Sequence, residues 1–194
     1  DQKEYDDTLG LGLRLTTALI LPAAAALAVL AVPVIQLVYE HGAFTAFDTA
    51  ITANALRLYL IGLPFAAWDL LLIYGFYAKQ DTVTPASIGI LSFGVYTAAA
   101  LALFPSFGLY ALMMADAVKH ITHATLCALL LFRRRGHLGD QRLMGTLVKT
   151  LIAAAGMAGA AYITVNIVSG LFGGDTFGEL MTVGISLAVC GISY

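Results

Sequence analysis

Four residues in one apolar stretch could do chemistry together. Asp116, Lys119, His120 and His123 sit at i, i+3, i+4 and i+7 within "YALMMADAVKHITHATLCALLLF". On a helix that spacing is one face. A second apolar run, 51–77, holds Arg57 and Asp69. An ionised group at mid-bilayer costs at least ~2.5–3.5 kcal/mol on insertion scales, so such groups face a cavity or a partner rather than lipid. Both runs cross in the same direction. Arg57 and Asp116 lie at matching depth below the outer ends, and Asp69 and His123 lie at matching depth above the inner ends. The expectation is a buried ionic network between the two helices.

Three kinds of chemistry fit that set. The cations could take an anionic headgroup. His120 with Asp116 could pass a proton. His120 and His123 with Asp116 have a possible zinc spacing, but HxxH is not HExxH and adjacent Lys119 repels a dication, so no metal is expected there. Beside these stands the plain alternative of a charge-neutral clamp that only holds the bundle. The spacing alone leaves clamp and cavity equal.

The elements that position these residues follow from composition. Hydrophobic residues make up 60% of the 194 and charged residues 11%, against about 25% charged in soluble domains. Apolar segments lie at 15–39, 51–77, 85–104, 109–132, 146–168 and 180–194, and a membrane crossing needs about 20 residues. The fold class is an all-α polytopic membrane helix bundle of six transmembrane helices. The last is short and reads as truncated. "DQKEYDDTLG" and "ISLAVCGISY" both look cut, which predicts a piece of a longer protein. Pro22, Pro33 and Pro64 should kink their helices. "FPSFG" (104–108) should be a tight turn, and Pro85 should close a polar loop in a first helical turn.

Charge placement sets the orientation. Lys3, Arg14, Lys79, Arg133, Arg134, Arg135, Arg142 and Lys149 fall on one side of the zigzag. Loops 40–50, 105–108 and 169–179 on the other side contain no Lys or Arg. The basic side is therefore cytoplasmic, with both ends of the chain inside. Cys127 and Cys190 lie in apolar runs with no CxxC spacing, which suggests neither a disulfide framework nor a thiolate metal site. No aromatic-basic platform for nucleic acid is present.

The outward tract "EHGAFTAFDTA" has a structural reading throughout. Gly42 permits a turn, Thr45 with Asp48 makes a capping pattern, and Phe44 and Phe47 suit the headgroup level. Yet "VYEHGAFTAFDT" together with "GFYAKQDTVTP" also resembles the MurJ/MviN family of lipid II flippases, in the multidrug/oligosaccharidyl-lipid/polysaccharide exporter superfamily. The matching residues are Gly42, Phe44, Thr45, Asp48, Phe76, Tyr77, Ala78, Asp81, Thr82, Thr84 and Pro85. The resemblance is specific over roughly 5–90 and weaker to about 135.

That resemblance implies the last six of fourteen helices. Residues 1–135 would supply four spans of the C-terminal lobe, and 136–194 two tail helices beside a groove for an isoprenoid tail. It implies a non-enzymatic flippase of the bacterial inner membrane. The protein would move lipid-linked peptidoglycan precursor from inner to outer leaflet by alternating access, without a cofactor. Its partners would be the lipid-linked oligosaccharide, membrane lipids and an N-terminal lobe. On this view Arg57 and Lys119 are cavity cations, with Asp69, Asp116 and His120 as partners or proton carriers. The alternatives are export of another polyprenyl-linked glycan or an amphiphilic drug, an intramembrane enzyme built on Asp116, His120 and His123, or a helical scaffold without a substrate.

Overall fold

A computed structural model describes residues 2–133, 143–172 and 176–193. Arg134, Arg135 and Arg142 of the basic link, residues 173–175 of the glycine-rich link and Tyr194 lie outside them. The order is α1 (Gln2–Val29), α2 (Ala31–Tyr39), α3 (Ala46–Tyr77), α4 (Val83–Phe107), α5 (Tyr110–Arg133), α6 (Leu143–Phe172) and α7 (Thr176–Ser193). No strand occurs among the described residues. The fold is all-α.

Among the described residues, four helices are long and apolar enough to cross a membrane: Glu4–Val29, Ala46–Tyr77, Val83–Phe107 and Gly145–Val168. Helix α5 has the length, but Asp116, Lys119, His120 and His123 dilute its apolar character. Helix α7 contributes a shorter apolar stretch, Leu180–Gly191. Ile90, Phe93 and Leu101 of α4 are exposed. Side chains of that size in one exposed region suit lipid rather than water.

Two boundaries differ from the sequence reading. The run 15–39 is broken at Leu30. Pro33 has no N–H to give the Val29 carbonyl, so the ladder loses a rung there. Bonds from Leu30 N–H to Ala26 O (2.9 Å) and from Val34 N–H to Leu30 O (2.9 Å) carry the backbone across the break. At the other boundary, α4 continues through Pro105 instead of turning at it. The stop comes at Gly108, whose φ of 53° lies in the left-handed region and whose N–H bonds Phe104 O at 2.9 Å.

Two Thr–Asp clasps with opposite polarity start α3 and α4. Before α3, Asp48 Oδ2 accepts from both Thr45 N–H (2.9 Å) and Thr45 Oγ1 (2.7 Å). Before α4, Asp81 accepts from Thr84 N–H (3.0 Å) and Thr84 Oγ1 (2.7 Å), and Pro85 falls in the first turn as expected. Gly42, at φ 65°, makes the turn ahead of α3. Phe44 does not stand free: it packs on the Ala31, Ile35 and Ala53 cluster and against the Tyr39 ring. Phe47 is exposed. Loss of a capping side chain costs ~1 kcal/mol. Asp81→Ala should lower stability by about that amount in a denaturant titration of the detergent-solubilised protein.

The chain divides into two compact units, with the divisions falling inside α1, α3 and α6. One comprises residues 1–20 and 61–148, the other 21–60 and 149–194. The first has a core of Leu9, Leu13, Leu72, Phe76, Ile88, Ala124, Cys127 and Leu131. The second has two clusters, Ala26 with Met157, Ala161 and Cys190, and Ala31 with Ile35 and Ala53. In the first unit α3 meets α5 without a spacer. A Cβ placed on Gly62 would lie 2.8 Å from the Ala117 Cα. Asp69 is seven residues on from Gly62, two turns along the same face of α3.

Candidate functional site

The close approach at Gly62 brings the ionic residues of α3 and α5 into reach. His123 Nδ1 contacts Asp69 Oδ1, and both residues are buried. His120 Nδ1 lies 3.6 Å from the other oxygen of Asp69, and His120 Nε2 lies 3.7 Å from Asp116 Oδ2. Asp116 Oδ1 takes a 2.5 Å bond from Lys119 Nζ. The order is therefore Lys119, Asp116, His120, Asp69, His123. The Lys119 end is the more exposed, at 30% for that side chain against 9% for His123.

Helix α4 closes both ends of this row. The Pro85 carbonyl lies 3.3 Å from His123 Nε2, and the Tyr96 ring lies under Lys119 Nζ at 5.8 Å. Lysine over an aromatic face is a favourable contact in a dry setting. Asp69, Asp116 and Lys119 sum to −1 with both imidazoles neutral, and to zero when one proton is added. Each imidazole has a carboxylate or carbonyl oxygen facing both of its nitrogens.

All the expected residues of α5, with Asp69, come together, and the depth match of Asp69 to His123 is a contact. Arg57 is not brought into this row. It lies in the second unit, exposed, with Nε donating to Ala28 O (3.0 Å) and Nη1 donating to Asn54 Oδ1 (3.1 Å). Three participants escaped the sequence reading. Cys127 Sγ lies 3.6 Å from His123 Nδ1; its i+4 spacing from His123 was the available signal. The Pro85 carbonyl and the Tyr96 ring had none, because a backbone acceptor and a ring face leave no pattern.

The family model described as "Lipid II flippase MurJ" matches residues 1–181. The chain belongs to the lipid II flippase MurJ family. Among MurJ relatives, a "Probable lipid II flippase MurJ" of Rhizobium meliloti (strain 1021) is 38% identical over 155 residues, 78% of this chain and 28% of that protein. One of Rhizobium tropici is 36% identical over 120 residues, 62% of this chain and 22% of that protein. The chain thus spans less than a third of the length of these curated relatives. A solved structure, "Lipid II flippase MurJ, inward closed conformation", superposes with a TM-score of 0.73 over 100% of this chain and 39% of that one, at 24% identity. At that identity the superposition speaks for the MurJ fold.

Proposed function

We propose that the chain is the C-terminal part of a flippase that carries lipid-linked peptidoglycan precursor from the inner to the outer leaflet. The observation that carries the reading is a row of five ionisable side chains along two apolar helices of a chain in the MurJ family. Polar groups so placed in a membrane serve a cavity or a pathway more often than lipid contact. Residues 1–135 supply four spans and 136–194 two more, six in all, in a multi-pass inner-membrane protein with both ends of the chain cytoplasmic. The charges of α5 face α3 and α4, which supports counting α5 among the spans.

The mechanism is alternating access, with this part moving against an N-terminal lobe around a polar cavity. Lys119 supplies positive charge to the pyrophosphate of the lipid-linked oligosaccharide, and Arg57 is a separate cavity cation of the second unit. Asp116, Asp69 and His120 neutralise Lys119 or carry protons while the cavity is empty, and His123 anchors the row on α4. No bond is made or broken in the cargo, so the protein is not an enzyme and needs no cofactor. Membrane lipids cover the apolar exterior.

The test is complementation in cells depleted of their flippase by the full-length protein. Arg57→Ala should abolish rescue while membrane levels stay normal. Undiminished rescue removes Arg57 from the cavity. Failure of the unaltered protein to rescue would instead favour export of another polyprenyl-linked glycan.

A further inference from the structure

We propose that Asp69, His123 and Cys127 form a binding site for a borderline-soft divalent cation such as Zn2+. A carboxylate oxygen, Nδ1 and Sγ of these buried residues all lie within 4.8 Å of one another. Sγ stands 3.6 Å from Nδ1. Tetrahedral bonds of about 2.0–2.3 Å put ligand atoms roughly 3.3–3.8 Å apart; Sγ and Nδ1 already stand at that spacing, and a metal would enter by parting the direct contact of Asp69 Oδ1 with Nδ1. His123 and Cys127 are i, i+4 on α5, a spacing at which two side chains converge.

The surroundings suit a metal ligand. The other nitrogen of His123, Nε2, faces the Pro85 carbonyl at 3.3 Å. Metal-bound histidine almost always donates its second ring N–H to such an acceptor, which fixes the tautomer and leaves the first nitrogen free to ligate. A second observation points the same way. His120 Nδ1 is buried with no hydrogen-bond partner and lies 3.6 Å from Asp69 Oδ2, at the edge of the trio. Imidazole, carboxylate and thiolate together are a donor set that zinc accepts.

Charge favours it too. A dication with the Asp69 carboxylate and the Cys127 thiolate sums to zero, which avoids the cost of a net charge within the bilayer. Lys119 repels the ion less than the bare sequence suggests, because Asp116 pairs with it at 2.5 Å. Binding exchanges protons for metal. The Cys127 S–H bond breaks, a metal–sulfur bond forms, and the proton leaves to solvent. Nδ1 gives up any proton it shares with Asp69. No electron moves.

The experiment uses full-length protein in detergent, stripped of metal and titrated with Co2+. One equivalent should give a thiolate-to-cobalt charge-transfer band with tetrahedral visible bands, and Zn2+ should bleach both. Cys127→Ser should remove the charge-transfer band, Cys190→Ser should leave it, and His123→Ala should weaken binding at least tenfold. Absence of the band at one equivalent, or its survival in Cys127→Ser, overturns the site and leaves an Asp69–His123 pair alone. Should Cys127→Ser not fold, X-ray absorption at the zinc edge decides, on protein retaining Cys127 as its sole cysteine. One sulfur at about 2.3 Å supports the site, and a shell of nitrogen and oxygen only rejects it.

Discussion

Asp69→Ala should destabilise the protein by ~1–3 kcal/mol, the range for leaving a buried hydrogen-bonding partner unsatisfied. Asp69 serves two rings at once: one oxygen contacts His123 Nδ1 and the other faces His120 Nδ1. Its removal takes the carboxylate away from Nδ1 of both imidazoles and leaves Asp116 as the only carboxylate in the row. Asn should cost less, since its amide oxygen still accepts from one nitrogen. The informative variant is the pair Asp69→Leu with His123→Leu. Well-packed apolar replacements of a buried pair are often close to neutral, so the double variant should be more stable than the two single losses predict. Denaturant titrations in detergent measure all four corners of that cycle, and the expected coupling is at least ~1 kcal/mol. Strict additivity would mean that the two side chains do not act as a pair.

Gly62→Ala should cost ~1–3 kcal/mol, the range for overpacking a tight core. The number that decides this is 2.8 Å, the separation of the added Cβ from the Ala117 Cα. The atom met is backbone, so the helices themselves must part. Ala117→Gly should therefore fail to rescue the variant, because it removes the Cβ at 3.2 Å and leaves the Cα in place. Parting α3 from α5 also lengthens Asp69 to His123, two turns along. Loss of stability and loss of the Asp69–His123 coupling should appear together. A substitution at exposed Gly94, whose added Cβ meets nothing within 4 Å, is the control and should leave both unchanged.

Much of this arrangement could be read from residue types alone. Hydropathy marked the helices, the i, i+3, i+4, i+7 spacing placed the α5 residues on one face, and equal depth paired Asp69 with His123. Depth fixes height along a helix but not direction around it. Arg57 and Asp116 share a height, yet Arg57 bonds Ala28 and Asn54 while Asp116 bonds Lys119. Proline was read too strongly at 105, where one missing donor in a last turn does not end a helix, and correctly at 85. Cys127 has no CxxC partner, and its i+4 spacing from His123 belongs to no familiar metal pattern. Backbone groups such as the Pro85 carbonyl belong to every sequence equally and so cannot be picked out from one.

The Pro85 carbonyl has a consequence for how such a protein would be surveyed genetically. Its oxygen is main chain, so no codon change at position 85 deletes the acceptor that faces His123 Nε2. A saturation screen of single replacements would register Asp69 and His123, and α4 through the Tyr96 ring, and would pass over this carbonyl. The contribution of that carbonyl becomes visible only through chemical editing of the amide, for instance a thioamide at that peptide unit.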